Sequence, residues 1–199
     1  AANLTNKIGH LLLQGWSSQS EERKLDFHKW VSKNSWVEDY ATFIVIREEF
    51  NMMPWWEWPK EFKIKNNKFL KSWIEEKNEE ILIKKFIQWH LDEQWRSIKN
   101  FAKSNNIKLI GDLPFYVSRD SVDVWSNKSL FSISNNGKLL FQSGVPPDYF
   151  SSTGQLWGTP TYYWSKHKRT HFKWWRERFK RQLQLMDILR LDHFRALAG

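Results

Sequence analysis

Residues 105–125 read NNIKLIGDLPFYVSRDSVDVW. The paired asparagines end the helical texture before them, Ile107, Leu109 and Ile110 form a short apolar run, and Gly111-Asp112 closes it. Such a run, bounded by turn residues, predicts a strand that ends in a loop. The same texture returns in DILRLDHF, residues 187–194, predicted as a second strand in which Ile188, Leu189, Leu191 and Phe194 surround Arg190 and Asp192. Between them lie a long loop stretch, Leu113 to about Thr170, and a helix predicted from about Thr170 to Leu185. Strand, loop, helix and strand make a βαβ unit, which predicts two parallel strands in one sheet. The expected fold class is α/β.

Upstream, from Ser17 to about Asn105, the reading is mainly helical. Ser20 followed by Glu21-Glu22 is an N-cap with acids in the first turn, where they suit the helix dipole. A second helix is expected from about Asn34 or Ser35, with Trp36, Val37, Tyr40, Phe43, Ile44 and Ile46 as its apolar stripe. Pro54 and Pro59 bracket an aromatic segment that cannot continue a helix. Two further helices fill Asn67 to Lys103.

The chain has 199 residues, 41% hydrophobic and 27% charged, a globular composition that suits one domain or part of a larger one. Without cysteine it has no disulfide framework and no thiolate chemistry. No apolar run approaches the eighteen residues of a membrane span, and AANLTNKIGH is not a signal peptide. The missing initial Met and the abrupt end lead to the expectation of an excised piece of a longer protein. The six histidines lack metal-ligand spacing, so no metal or cofactor is expected. Net charge of +9 admits nucleic acid as a ligand, whereas fourteen tryptophans stack equally well on bases or on sugar rings.

Parallel α/β folds gather their loops at the C-terminal ends of the strands, and both predicted strand ends carry an acid, Asp112 and Asp192. Residues i and i+2 of a strand share a face, which sets Arg190 beside Asp192. An arginine beside an aspartate favours the ionised form that a carboxylate nucleophile or cation stabiliser needs. An ion pair at the sheet rim is the plain structural alternative. Asp120 and Asp123 read as turn or cap residues rather than calcium ligands. In GVPPDYFSSTGQLWGTPTYYW, residues 144–164, Asp148, Tyr149, Phe150, Gln155 and Trp157 put rings and hydrogen-bonding groups on a shaped loop, as binding sites do. Residues 166–182 hold eight Lys or Arg, with Phe172, Trp175, Phe179, Leu183 and Met186 falling on the opposite face. That pattern predicts an outer helix with a solvated basic face rather than a phosphate groove.

GDLPFYVSRDSVDVW, SGVPPDYFSSTGQLWGTPTYYW and ILRLDHFRALAG, in that order, resemble the 4-α-glucanotransferases known as amylomaltases or disproportionating enzymes, relatives of the α-amylases. WVEDYATFIVIREEF, WWEWP and the QW-x5-FA pattern at Gln94 to Ala102 extend the resemblance over most of the chain from about Asn34. It implies a (β/α)8 barrel with mainly helical insertions, seen here in part and broken off after about the fourth strand. It also implies retaining transfer of an α-1,4-glucan segment to the 4-hydroxyl of another sugar. By the same resemblance Asp192 is the nucleophile, Arg190 its charge partner, and Asp112 a substrate-binding aspartate. Tyr149, Phe150 and Trp157 belong to the loop over the glucan, with Asp148, Gln155 and His193 as further substrate contacts. The family's acid/base and a further aspartate belong to later strands, so this piece alone is expected to be inactive. The implied partners are α-1,4-glucans and maltooligosaccharides, not nucleic acid or membrane, in a cytoplasm or a plastid. The competing functions are an amylase-type hydrolase or branching enzyme of similar fold, and a basic, aromatic nucleic-acid-binding module.

Overall fold

Ser20 caps the predicted helix as expected, its hydroxyl accepting the Arg23 N–H at 3.2 Å. The computed structural model describes residues 2–149 and 151–197. The chain divides into two compact units, residues 1–97 and 98–199.

The first unit is helical. Helices α1 (Ala2–Gln14), α2 (Glu21–Lys33), α3 (Trp36–Glu49), α4 (Lys60–Lys63) and α5 (Asn67–Glu76) precede α6 (Asn78–Ser104), which runs on into the second unit. Helix α1 lies outside the helical reading, which began at Ser17. Its Gly9 lets it approach α6 closely, since a Cβ there would meet the Ile83 side chain. Phe27, Trp30, Val37, Phe86 and Trp89 form a buried cluster, flanked by Leu12, Leu13 and Trp16. The proline-bracketed aromatic segment makes a 3-10 turn, Trp55–Glu57, with Trp55 and Trp58 fully buried. The Trp58 indole N–H donates to the Met53 carbonyl at 2.9 Å, which satisfies its one polar atom. The buried Lys84 ammonium donates to Asn6 Oδ1 at 2.6 Å and Glu48 Oε1 at 2.7 Å, so its charge is paired.

In the second unit β1 (Ile110–Leu113) and β4 (Ile188–Leu191) pair in parallel, in the register Ile110↔Ile188 to Leu113↔Leu191. The expected parallel pair is present, but β1 starts three residues later than the apolar run suggested and takes Gly111 and Asp112 into the ladder. Gly111 is required there because any Cβ would run into Met186. Asp187 immediately precedes β4: its carboxylate accepts the Leu109 N–H at 3.0 Å, which holds its pKa below the usual carboxylate value, and Lys99 lies 3.4 Å away. Lys99 also donates to the carbonyls of Gln184 and Met186 at the end of the preceding helix, where a cation suits the dipole.

The long connection contains α7 (Val122–Ser126), β2 (Gln142–Val145), β3 (Gln155–Pro160), α8 (Trp164–Arg169) and α9 (Lys173–Leu185). Strands β2 and β3 form an antiparallel hairpin with a register shift between Gln142 and Gly144, where only a loop was expected. The helix predicted from about Thr170 is α9, which starts at Lys173; α8 lies in the stretch expected to be loop, and the two are separated at His171 and Phe172, both in left-handed conformation. Trp175 is buried on α9, whereas Phe172 and Leu183 of the same predicted apolar face are largely exposed. The core of this unit gathers Leu113, Phe115, Trp125, Phe131, Tyr162 and Trp175. Trp125→Ala, at a site with no exposure, is expected to lower unfolding free energy by about 3–5 kcal/mol in denaturant titrations, the usual cost of emptying a large aromatic site.

His167 of α8 is also fully buried, among the rings of Tyr162, Trp164, Trp174 and Trp175, with the Leu130 backbone beside it. Burial lowers its pKa from the ordinary 6.5. The unfolded chain therefore takes up a proton that the folded chain resists, so stability is full above about pH 6.5 and declines below it. For this one group the decline is bounded by about 1.4 kcal/mol per pH unit. Because burial also lowers His90, the check is the difference in pH-dependent melting between the parent and His167→Phe, which removes this contribution alone.

Candidate active site

The register Asp112↔Arg190 sets these two residues opposite each other on adjacent parallel strands. Arg190 Nε donates to Asp112 Oδ1 at 3.0 Å and its Nη2 to Asp112 Oδ2 at 3.1 Å, a bidentate fork. The same Nη2 donates to Asp192 Oδ2 at 3.1 Å, so one guanidinium bridges both carboxylates. That hydrogen bonding holds the Asp112 carboxyl below the usual carboxylate value and raises the Arg190 guanidinium above its own. The three side chains remain 44–64% exposed, so the bridge is open to a ligand from solvent.

Asp192 is the first residue after β4, at the strand's C-terminal end. The following residue, His193, is left-handed at φ 52, and its N–H donates to Asp192 Oδ1 at 2.9 Å. Its Nε2 lies 3.7 Å from Asp192 Oδ2. Asp192 thus has one oxygen on the guanidinium and the other on a backbone N–H, an arrangement that orients a carboxylate without burying it.

An indole closes one side. The Trp157 ring of β3 packs on the His193 imidazole with centroids 4.5 Å apart. Its Nε1 donates to Gln155 Oε1 at 3.0 Å, two residues away on the same strand. Behind it stands Tyr116, 6.0 Å from Trp157 and stacked on Tyr162 at 6.0 Å and 11°. Tyr116 escaped the sequence reading because nothing in GDLPFYV marks one aromatic above another.

The expected site residues therefore divide. Asp112, Arg190, Asp192, His193, Trp157 and Gln155 come together. Asp148 accepts the Ser151 N–H at 2.8 Å in an Asx turn on the loop between β2 and β3, and Tyr149 beside it is 97% exposed. Phe150 lies outside the described residues. Asp120 is not part of this group, and Asp123 accepts the Trp174 indole N–H at 3.2 Å, with burial raising its pKa. Lys166, Lys168, Arg169, Lys173, Arg176 and Lys180 of α8 and α9 are exposed to solvent, as the basic stretch predicted. Among the described residues no three His, Asp or Glu side chains converge as a metal site requires.

The site is thus a carboxylate held by an arginine at the end of a parallel strand, beside an aromatic wall. The 4-alpha-glucanotransferase family model (Glyco_hydro_77) matches residues 3–199. The 4-alpha-glucanotransferase of Clostridium butyricum is 42% identical over 191 residues, which is 95% of this chain and 39% of that protein. The chloroplastic/amyloplastic 4-alpha-glucanotransferase of Arabidopsis thaliana is 37% identical over 98% of this chain and 34% of its own length. Amylomaltase from Streptococcus agalactiae, solved in complex with acarbose, matches with a TM-score of 0.88 and 33% identity, over 95% of this chain and 38% of that one. The chain thus spans about two fifths or less of the proteins it resembles, and its fold corresponds to part of a (β/α)8 barrel with helical additions. With the family model matching residues 3–199 and the fold in agreement, the chain belongs to the 4-alpha-glucanotransferase family.

Proposed function

We propose that these residues form half of the active site of a 4-α-glucanotransferase acting on α-1,4-glucans and maltooligosaccharides by retaining double displacement. The observation that carries the reading is the Arg190 bridge, which presents Asp192 as an oriented, accessible carboxylate at a strand end. In the first step an Asp192 oxygen attacks the anomeric carbon, the bond to the leaving glucan oxygen breaks, and a glycosyl–enzyme ester forms. The leaving oxygen takes its proton from the acid/base carboxyl in the first step; in the second, the 4-hydroxyl of an acceptor glucan returns a proton to that group as it displaces the carboxylate, and the configuration is retained. Asp112, gripped at both oxygens by Arg190, is suited to hold sugar hydroxyls rather than shuttle protons. The acid/base carboxyl, about 5–5.5 Å from the nucleophile in retaining enzymes, is proposed to come from a protein of the relatives' length. Trp157, with Gln155 and His193, offers the glucan a flat wall, and Asp148, Tyr149 and Phe150 a loop to close over it. An acceptor sugar against that wall excludes the water that would otherwise hydrolyse the ester.

No helix among the described residues is long and apolar enough to cross a membrane. We place the enzyme in a cytoplasm or a plastid, the latter supported by relatives named chloroplastic/amyloplastic. The test is incubation of a relative-length protein carrying this chain with maltotriose. A ladder of longer maltooligosaccharides is the expected result, while products no longer than maltotriose overturn transfer in favour of hydrolysis. Binding to maltooligosaccharides is expected to be insensitive to salt, whereas affinity for RNA or DNA that falls steeply with salt would mark a nucleic-acid module instead.

A further inference from the structure

The Trp157 indole stands on β3, next to Leu156 in the ladder. Its neighbour Gly158 is left-handed, with open space where a Cβ would stand, and among the described residues β3 pairs with the short strand β2 alone. What fixes the indole is side-chain packing: the Gln155 amide at its N–H, the His193 imidazole on one side, and the Tyr116 ring behind. Tyr116 itself rests on a rigid post. It stacks on Tyr162, whose hydroxyl donates to the Phe115 carbonyl at 2.5 Å and whose ring is wedged against Phe131, Trp174 and Trp175. Arg178 ties the same segment down, donating to the Pro114 carbonyl at 2.6 Å. A continuous run of rings therefore connects the buried core to the proposed nucleophile: Tyr162, Tyr116, Trp157, His193, and then Asp192.

We propose that Tyr116 is a positioning residue for glucan binding and transfer, acting through Trp157 to set the wall beside Asp192. The inference rests on the glucanotransferase reading above. Tyr116 contributes its ring rather than its hydroxyl. Removing the ring leaves the indole free to tilt away from His193, and misplacement of a binding wall by about 1 Å is enough to cost up to 10²-fold in rate.

The experiment is a double-mutant cycle in the relative-length enzyme, with kcat and KM for maltotriose disproportionation and acarbose affinity by calorimetry as readouts. Tyr116→Ala is expected to lower kcat/KM by about tenfold or more, chiefly through KM, and to weaken acarbose similarly. Tyr116→Phe recovers most of that loss. Adding Tyr116→Ala to Trp157→Ala costs little more than Trp157→Ala alone, because the tyrosine acts through the tryptophan. Additive losses, a phenylalanine that fails to rescue, or a Tyr116→Ala enzyme with lower melting temperature but parental KM each overturn the inference while leaving the glucanotransferase reading intact. A parent that neither lengthens maltotriose nor binds acarbose overturns both.

Discussion

Asp192→Asn, in an enzyme of the relatives' length, is expected to abolish transfer from maltotriose, lowering kcat by on the order of 10⁴-fold or more, as loss of a covalent nucleophile does. The amide is nearly isosteric with the carboxylate. Its oxygen can still accept either the His193 N–H or the Arg190 Nη2 that now hold Asp192. At 44% exposure the side chain supports no core packing, so the melting temperature is expected to stay within about 2 °C of the parent's. What the amide cannot do is attack an anomeric carbon and leave again as a stable anion. Loss of turnover with an unchanged melt separates a chemical role from a structural one. Residual activity within tenfold of the parent would rule Asp192 out as nucleophile.

The elements that carry this chemistry were legible because their residues contradict their surroundings. Arg190 stands out in an apolar strand and Asp192 just past its end, and reading the strand on to Phe194 sets the two side by side by i, i+2 spacing. Their partner was less legible. The sequence reading put Asp112 just beyond its strand, since Gly and Asp are poor strand formers, but pairing with Leu189 and Arg190 draws both into the ladder. The Arg190–Asp112 fork follows from that register, which no local pattern encodes. The β2–β3 hairpin was hidden for a related reason. Its strands contain Gly144, Gly158 and Pro160 and lack alternation, so packing and closure of Gly154 (φ +71) against Val145 and Pro146, not propensity, determine it.

Other features are invisible without coordinates. The break between α8 and α9 has no glycine or proline to announce it, because His171 and Phe172 themselves adopt left-handed backbone. As a result His167, read as one member of a basic solvated run, is instead sealed in an aromatic cage. Tyr116 is equally silent in sequence, since stacking order depends on which rings the tertiary fold brings together.

Replacing Arg190 tests the bridge itself, and its effect is expected to be second only to that of Asp192. In Arg190→Leu both carboxylates lose their shared donor, so Asp192 is oriented from one side only and the two like charges lose the cation between them. kcat/KM is expected to fall by on the order of 10³-fold. Arg190→Lys is expected to recover less than about tenfold of this, because an ammonium is a single point of charge and cannot span three carboxylate oxygens as the planar fork does. The pH profile supplies an independent check. The Arg190 hydrogen bonds hold the Asp112 pKa low in the parent, keeping that carboxylate ionised into the acid range. Without them Asp112 takes up its proton at a higher pH, so the residual activity of Arg190→Leu is expected to decline on the acid side at a higher pH than the parent's. Retention of more than a tenth of parental kcat/KM, with an acid limb at the parental pH, would show that the bridge only decorates the strand ends and that Asp192 is oriented by His193 alone.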